Sequence, residues 1–183
     1  KRRFFRGSKV SSKIWEVHAT SVVASQLVLD VIAKLSILLW VKHSLVIRGG
    51  VTKGLLVHVE NGPLFGPAMN CAYYLESKKA KFPRVIIDEA CLSAYRKVET
   101  FGLFESLFEK AEDFSYLNLA TSFRHTIEDS TLALSGGVGL RNHEEWCLNA
   151  PEEISKIVQR HQSESVKEKY IWLLAEFKKI LKL

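Results

Sequence analysis

Cysteine is scarce, and what there is lies apart. Cys71, Cys91 and Cys147 form no Cys-x-x-Cys or Cys-x-His spacing, which excludes a disulfide framework or a zinc site and fits a reducing cytoplasm. Several catalytic signatures are missing too: no Gly-x-Ser-x-Gly elbow, no glycine-lysine phosphate loop and no His-Glu-x-x-His. The six histidines, His18, His43, His58, His125, His143 and His161, form no cluster in sequence. His143, Glu144, Glu145 and Cys147 are too close together for all to point inward, so no metal ligand is assigned. The Gly-Gly-Val-Gly within Ser135 to Leu140 has no apolar strand leading in and no clear helix leaving, so it reads as a loop, not a phosphate cradle.

A stripe of positive charge interleaved with aromatics is also lacking. The formal charge is +6 and the pI about 9.2, which favours anionic partners in general. Much of the excess sits at the ends, in Lys1, Arg2, Arg3 and Arg6 and in Lys178, Lys179 and Lys182, so a nucleic-acid partner is not expected. Ala19 to Val41 is apolar and long enough for a membrane span, but Asp30 and Lys34 interrupt it, and a charged pair at mid-bilayer is expensive. These two share one helical face, leaving Leu27, Val31, Leu35 and Leu38 to line the other; the expectation is a core helix with the charges in water. No basic, apolar, then small-residue leader opens the sequence, so a cytoplasmic location and no membrane partner are expected.

What is there is a chain of 183 residues, 47% apolar, enough for one domain with a real core. A helix is predicted from about Val22 to His43, then a buried strand over Leu45 to Val51 and another over Leu55 to Glu60. Asn61-Gly62-Pro63 is a turn, and Pro67 opens a helix to about Lys79. Arg84 to Asp88 reads as a strand, Glu89 to Lys97 as a short helix, Phe101 to Ala111 as an amphipathic segment and Phe114 to Leu119 as a strand. Pro151 opens a helix with Glu152 and Glu153 in its first turn, and a last helix covers Ser165 to Leu183. The expected class is α+β, a ferredoxin-like sheet with flanking helices and a helical C-terminal extension. Residues 1–100 form its core and 101–183 an α-rich extension.

Arg48-Gly-Gly50-Val-Thr-Lys-Gly54, then Phe65-Gly66, Asn70 and Leu75-Glu76-Ser77 resemble the core of class III nucleotidyl cyclases, the adenylate and guanylate cyclase family. The likeness is nearest to bacterial cyclase-like proteins with an RGG strand and to pyrimidine cyclases of phage defence. It covers roughly Val22 to Asp88, with an echo in Lys169-Tyr170-Ile171-Trp172-Leu173. It implies a cyclase-homology sheet in which Leu45 to Val51 is an inner strand between Leu55 to Glu60 and Arg84 to Asp88, with both long helices on one sheet face. It also implies a homodimer with its site between subunits. The substrate would be a nucleoside triphosphate and the product a 3′,5′-cyclic mononucleotide plus pyrophosphate, cyclic CMP or UMP in antiviral defence being the reading taken.

In that family a ribose 3′-hydroxyl attacks the α-phosphorus, two divalent ions (Mg2+ or Mn2+) held by paired aspartates neutralise charge, and an asparagine and an arginine position the ribose and the transition state. Carried over position by position, Asn70 stands at the asparagine and is the catalytic candidate, its amide expected to project towards the mouth of the RGG strand. Arg48, Gly50, Lys53, Phe65, Gly66 and Tyr74 are the substrate-binding candidates. Tyr74 occupies the place of the arginine, and a phenol cannot replace its fixed charge and five donors. The segment that should be a hairpin with a metal-binding acid reads His18-Ala-Thr-Ser21-Val-Val-Ala-Ser25 and holds none. Two readings follow: a cyclase whose aspartates lie in sequence beyond this chain, or a degenerate cyclase-fold module that binds a nucleotide or a protein. Simpler meanings stand beside them. Strand glycines mark a bulge or close helix packing, Arg48 can pair with an acid, and Lys53 can simply face solvent.

Overall fold

The computed structural model describes residues 11–58, 62–96, 106–111, 113–128 and 143–182. The predicted loop Ser135 to Leu140, the terminal basic residues Lys1 to Arg6, and Glu60, Asn61, Lys97 and Phe101 lie outside them. Helix α1, Ser11–His43, is longer than predicted and takes in His18 to Ser25, so that stretch is helical and not a hairpin. It ends where Ser44 turns left-handed, at φ 53°, letting Ser44 N–H donate to the Trp40 carbonyl at 2.7 Å and Leu45 N–H to the Leu39 carbonyl at 3.3 Å.

The buried face of α1 is not the expected one. Leu29, Ala33, Ile37 and Trp40 are buried, whereas Leu27, Val31, Leu35 and Leu38 are exposed. Asp30 and Lys34 pair at 2.7 Å at the margin between the faces, both partly covered. Apolar residues run round the helix with little sidedness, so periodicity located the helix but could not choose its inner face.

The main sheet has strands β1 (Gly49–Val51), β4 (Arg84–Ile87), β5 (Glu109–Lys110) and β6 (Ser115–Asn118), in the order β1-β4-β6-β5. β1 pairs parallel to β4, and β4 antiparallel to β6. Strands β2 (Val57–His58) and β3 (Leu64–Phe65) form a separate antiparallel hairpin. Among the described residues the expected inner strand is thus a short one at the sheet edge, bonded within the sheet to β4, and the segment Leu55 to His58 does not join it; Leu45 is exposed. Glu109 and Lys110, expected in an amphipathic segment, are extended. The division near residue 100 lies outside the described residues, and β4 and β6 on either side of it pair with each other.

Helix α2, Pro67–Tyr74, runs on into a π-helical turn, Leu75–Lys79. Helix α3 is Glu89–Tyr95, α4 Leu119–Glu128, α5 His143–Arg160 and α6 Glu164–Leu181. Pro151 lies inside α5 and does not open it. Side-chain alternation on β4 divides the core. Val85 and Ile87 pack with Leu29 and Ala33 of α1, Cys91 and Leu92 of α3, and Leu117. Ile86 turns to the other face with Tyr116, Leu75 and Trp172. Thus α1 and the α2 unit cover opposite faces, not one. At the end of the sheet Ile37 and Trp40 meet Phe123 of α4, Ile154 of α5 and Leu173 and Phe177 of α6. Each fully buried Leu, Ile or Phe among them contributes about 1.5–3 kcal/mol of transfer free energy. No helix among the described residues is long and apolar enough to cross a membrane.

Candidate functional site

The RGG run is held against α2 by contact too close for any side chain. A Cβ on Gly50 would lie 2.5 Å from the Ala72 carbonyl oxygen and 2.7 Å from Leu75 Cβ, so glycine at this position is required by the helix above the strand. Gly49 is different: its nearest neighbours would be Val85 methyls at 3.7 Å, ordinary contact. Arg48 forms an ion pair with Glu76 in the π-helical turn. Two of the candidate ligand residues, Arg48 and Gly50, therefore fasten strand to helix.

Gly66 caps α2 with φ 151°, a conformation that L side chains rarely adopt. A Cβ there would also lie 2.6 Å from the Leu55 carbonyl oxygen. That oxygen accepts the Ala68 N–H at 3.2 Å, so the loop after β1 rests on the first turn of α2. This seats Lys53, which is exposed, beside the start of the helix.

Helical spacing then separates the remaining candidates. Ala68, Cys71, Ala72 and Leu75 are half-buried towards the sheet, while Met69, Asn70, Tyr73 and Tyr74 are exposed. Asn70 and Tyr74, four residues apart, share the outward face. Asn70 therefore lies on the side of α2 away from Gly50, and not at the mouth of the RGG strand. Phe65 is exposed at the end of β3. The structure brings Lys53, Phe65, Asn70 and Tyr74 onto the open surface of the loop, hairpin and α2, keeps Gly50 beneath the helix, and engages the exposed Arg48 with Glu76. That surface is strongly apolar, with Leu55, Leu56, Val57, Leu64, Phe65, Met69, Tyr73 and Tyr74 all exposed.

Carboxylates near this unit are engaged elsewhere. Asp88, after β4, accepts the Thr52 hydroxyl at 2.9 Å and the Ala90 N–H at 3.4 Å, tying the ends of the two parallel strands. Glu89 pairs with Arg96 at 2.7 Å, Asp30 with Lys34 at 2.7 Å, and Glu76 with Arg48. Among the described residues no three His, Cys, Asp or Glu gather as a metal site. In α5, Glu144 and Glu145 are exposed while Cys147 is buried.

Sequence reasoning missed a second constellation, around the start of β4 on the sheet face that α2 also covers. The Arg84 guanidinium lies over four rings, Phe114 at 4.6 Å, Tyr116 at 5.0 Å, and Phe82 and Trp172 at 5.6 Å each. Burial lowers its pKa, and Phe82 stacks on Trp172 at 5.0 Å. Beside them Glu176, buried, accepts the Tyr116 hydroxyl at 3.0 Å and the Asn118 amide at 2.9 Å. Stacked rings and the Glu176 hydrogen bonds make this an assembly that clamps α6 to the sheet, although the buried Arg84 Nε has no hydrogen-bond partner among the described residues. The Lys169 to Leu173 run gave the one sequence hint of it, because Trp172 belongs to that run. Compared with family models, curated proteins and solved structures, the chain matches none.

Proposed function

We propose that the chain is a class III nucleotidyl cyclase-like domain that binds a nucleoside triphosphate at the open surface of the loop after β1, the β2–β3 hairpin and α2. The observation that carries this reading is the pairing of Asn70 with Tyr74 one turn apart on an exposed helix face, flanked by Phe65 and by Lys53. An amide and a phenol can hydrogen-bond a ribose, an exposed ring can stack on a base, and an ammonium can meet a phosphate. The surface is open and apolar, so a closed site needs a second wall, which a second subunit supplies.

Cyclisation to a cyclic mononucleotide, cyclic CMP or UMP in antiviral defence, needs acids for Mg2+ or Mn2+ that the described residues do not group together. In this reading they come from sequence beyond this chain. Tyr74 in place of an arginine favours a second reading, a non-catalytic module that binds a nucleotide or a protein partner with the same face.

The test is incubation of the purified protein with each of ATP, GTP, CTP and UTP plus manganese, followed by mass spectrometry, alongside equilibrium binding of each nucleotide. Cyclic product supports the enzyme. Binding without product supports the second reading, and binding of none of the four overturns both nucleotide readings.

A further inference from the structure

Arg84 is a cation without an anion. Arg48, Arg96 and Arg124 each pair with a glutamate, whereas among the described residues no carboxylate pairs with Arg84. Its Nη2 donates to the Lys79 carbonyl at 3.3 Å, and its buried Nε meets no acceptor. Glu176 lies close enough to act on Arg84 through its charge, but its carboxylate already accepts from the Tyr116 hydroxyl, the Asn118 amide and the Lys179 ammonium. Drawing an unpaired cation out of water is costly, and the four surrounding rings offset only part of that cost. Donors are left for an anion from outside.

Further cations and ring surface surround it. Lys81 is exposed and Lys79 half-buried in the link that carries Phe82, and Lys169 stands one turn before Trp172 on the same face of α6. Phe82, Phe114 and Trp172 each keep part of their surface in water. The acids at the rim, Asp113 and Glu168, are exposed and fewer than the cations. We propose that this patch binds single-stranded nucleic acid, with Arg84, Lys81 and Lys169 meeting phosphates and the partly open rings of Phe82 and Trp172 taking an unpaired base. Cations on two separate elements span more than one phosphate, which favours a strand over a mononucleotide. A bilayer fits less well, because Phe82 and Trp172 stack on each other at 5.0 Å and do not stand free to insert. An acidic peptide would leave the ring faces unused. Along the chain Arg84 is far from Phe114 and Trp172, so only folding assembles the patch. It lies at the far end of the α2 unit from Lys53 and Phe65, apart from the proposed triphosphate site.

Fluorescence anisotropy tests it, with a labelled oligothymidylate longer than a site of about 4–16 nucleotides and a series of salt concentrations. The wild-type chain should bind, and more weakly as salt rises. Lys81→Ala and Lys169→Ala should each lower the slope of log affinity against log salt by about 0.7, the value for one phosphate contact on a single strand, with the unfolding midpoint nearly unchanged. Arg84→Lys should weaken binding further, since a point charge replaces a fork; the two lysine variants keep the test readable if that change loosens the fold. Asn70→Ala should retain full affinity for the oligothymidylate, and Lys81→Ala full affinity for any triphosphate that the wild-type chain binds, so either site can fail without the other. No binding at low salt, wild-type affinity and slope in both lysine variants, equal affinity for polyglutamate, or binding to phosphatidylserine vesicles in preference to the oligothymidylate would overturn the proposal.

Discussion

Tyr116 in β6 donates its hydroxyl to the buried carboxylate of Glu176 in α6 at 3.0 Å, joining the sheet to the C-terminal helix. Burial, and then the Glu176 charge and hydrogen bond, push the phenol well above its ordinary value. A raised folded-state pKa means that stability is fully present below the unfolded tyrosine pKa of about 10 and is lost as pH rises above it, because the unfolded chain ionises first. Denaturant titrations from neutral to strongly alkaline pH should show this loss in the wild-type chain and a smaller one in Tyr116→Phe. At neutral pH Glu176→Ala should cost on the order of 3 kcal/mol, since it strands both the Tyr116 hydroxyl and the Asn118 amide.

The two glycines of the RGG run should behave unequally. Gly50→Ala puts a methyl 2.5 Å from the Ala72 carbonyl oxygen and should destabilise by about 1–3 kcal/mol, as overpacking does. Gly49→Ala meets only Val85 methyls at 3.7 Å and should stay within about 1 kcal/mol of the parent. Equal urea midpoints for the two variants would show that α2 does not press on β1 as described.

Much of this arrangement was legible in the residues. Pro67 marked the start of α2, Arg84-Val-Ile-Ile87 marked β4, and Ser115 to Asn118 fell within the predicted strand. Local chemistry sets such features. The misjudged ones depend on what an element meets in space. With apolar residues on all sides of α1, only the packing of Leu29 and Trp40 decided its inner face. The segment from Leu55 left the sheet because its carbonyl caps α2 and Val57 pairs with Phe65. Arg48 was recognised as able to pair with an acid, but that the acid is Glu76 required knowing that the π-helical turn passes over β1. The Arg84 and Glu176 assembly joins residues about ninety positions apart, beyond any local pattern.

Arg48 and Glu76 form a partly exposed ion pair, and such pairs contribute about 0–1 kcal/mol. Arg48→Ala and Glu76→Ala should therefore have similar small effects on stability, and the double variant little more than either. Nucleotide affinity separates the roles. If Arg48 only fastens β1 to the helix, both single variants weaken binding equally; a larger loss with Arg48→Ala would make it a ligand contact.

Burial pushes the Cys147 thiol up to about 11, so at neutral pH it holds almost no thiolate, the reactive form. Cys71 is only half-buried. Iodoacetamide on the folded protein should label Cys71 well before Cys147, with peptide mass spectrometry reading the order. Early labelling of Cys147 would mean that α5 opens from the core.

Asn70 offers the sharpest test of the nucleotide site. It sits on the outward face of α2 in the turn after Gly66, and its backbone N–H donates to the Gly66 carbonyl at 3.2 Å. Its side chain is exposed, so Asn70→Ala removes no core volume and should leave the unfolding midpoint nearly unchanged. If its amide holds a ribose or a developing charge, nucleotide binding or turnover should fall by about tenfold to a thousandfold, the range for loss of a transition-state donor. Tyr74→Phe, one turn further along the same face, should cost less because the ring remains for stacking. Calorimetric titration of both variants with the triphosphate that the wild-type chain binds would read the difference. Wild-type affinity and turnover in Asn70→Ala would place the nucleotide elsewhere, and a variant that unfolds would show that the outward face of α2 is covered in the working protein.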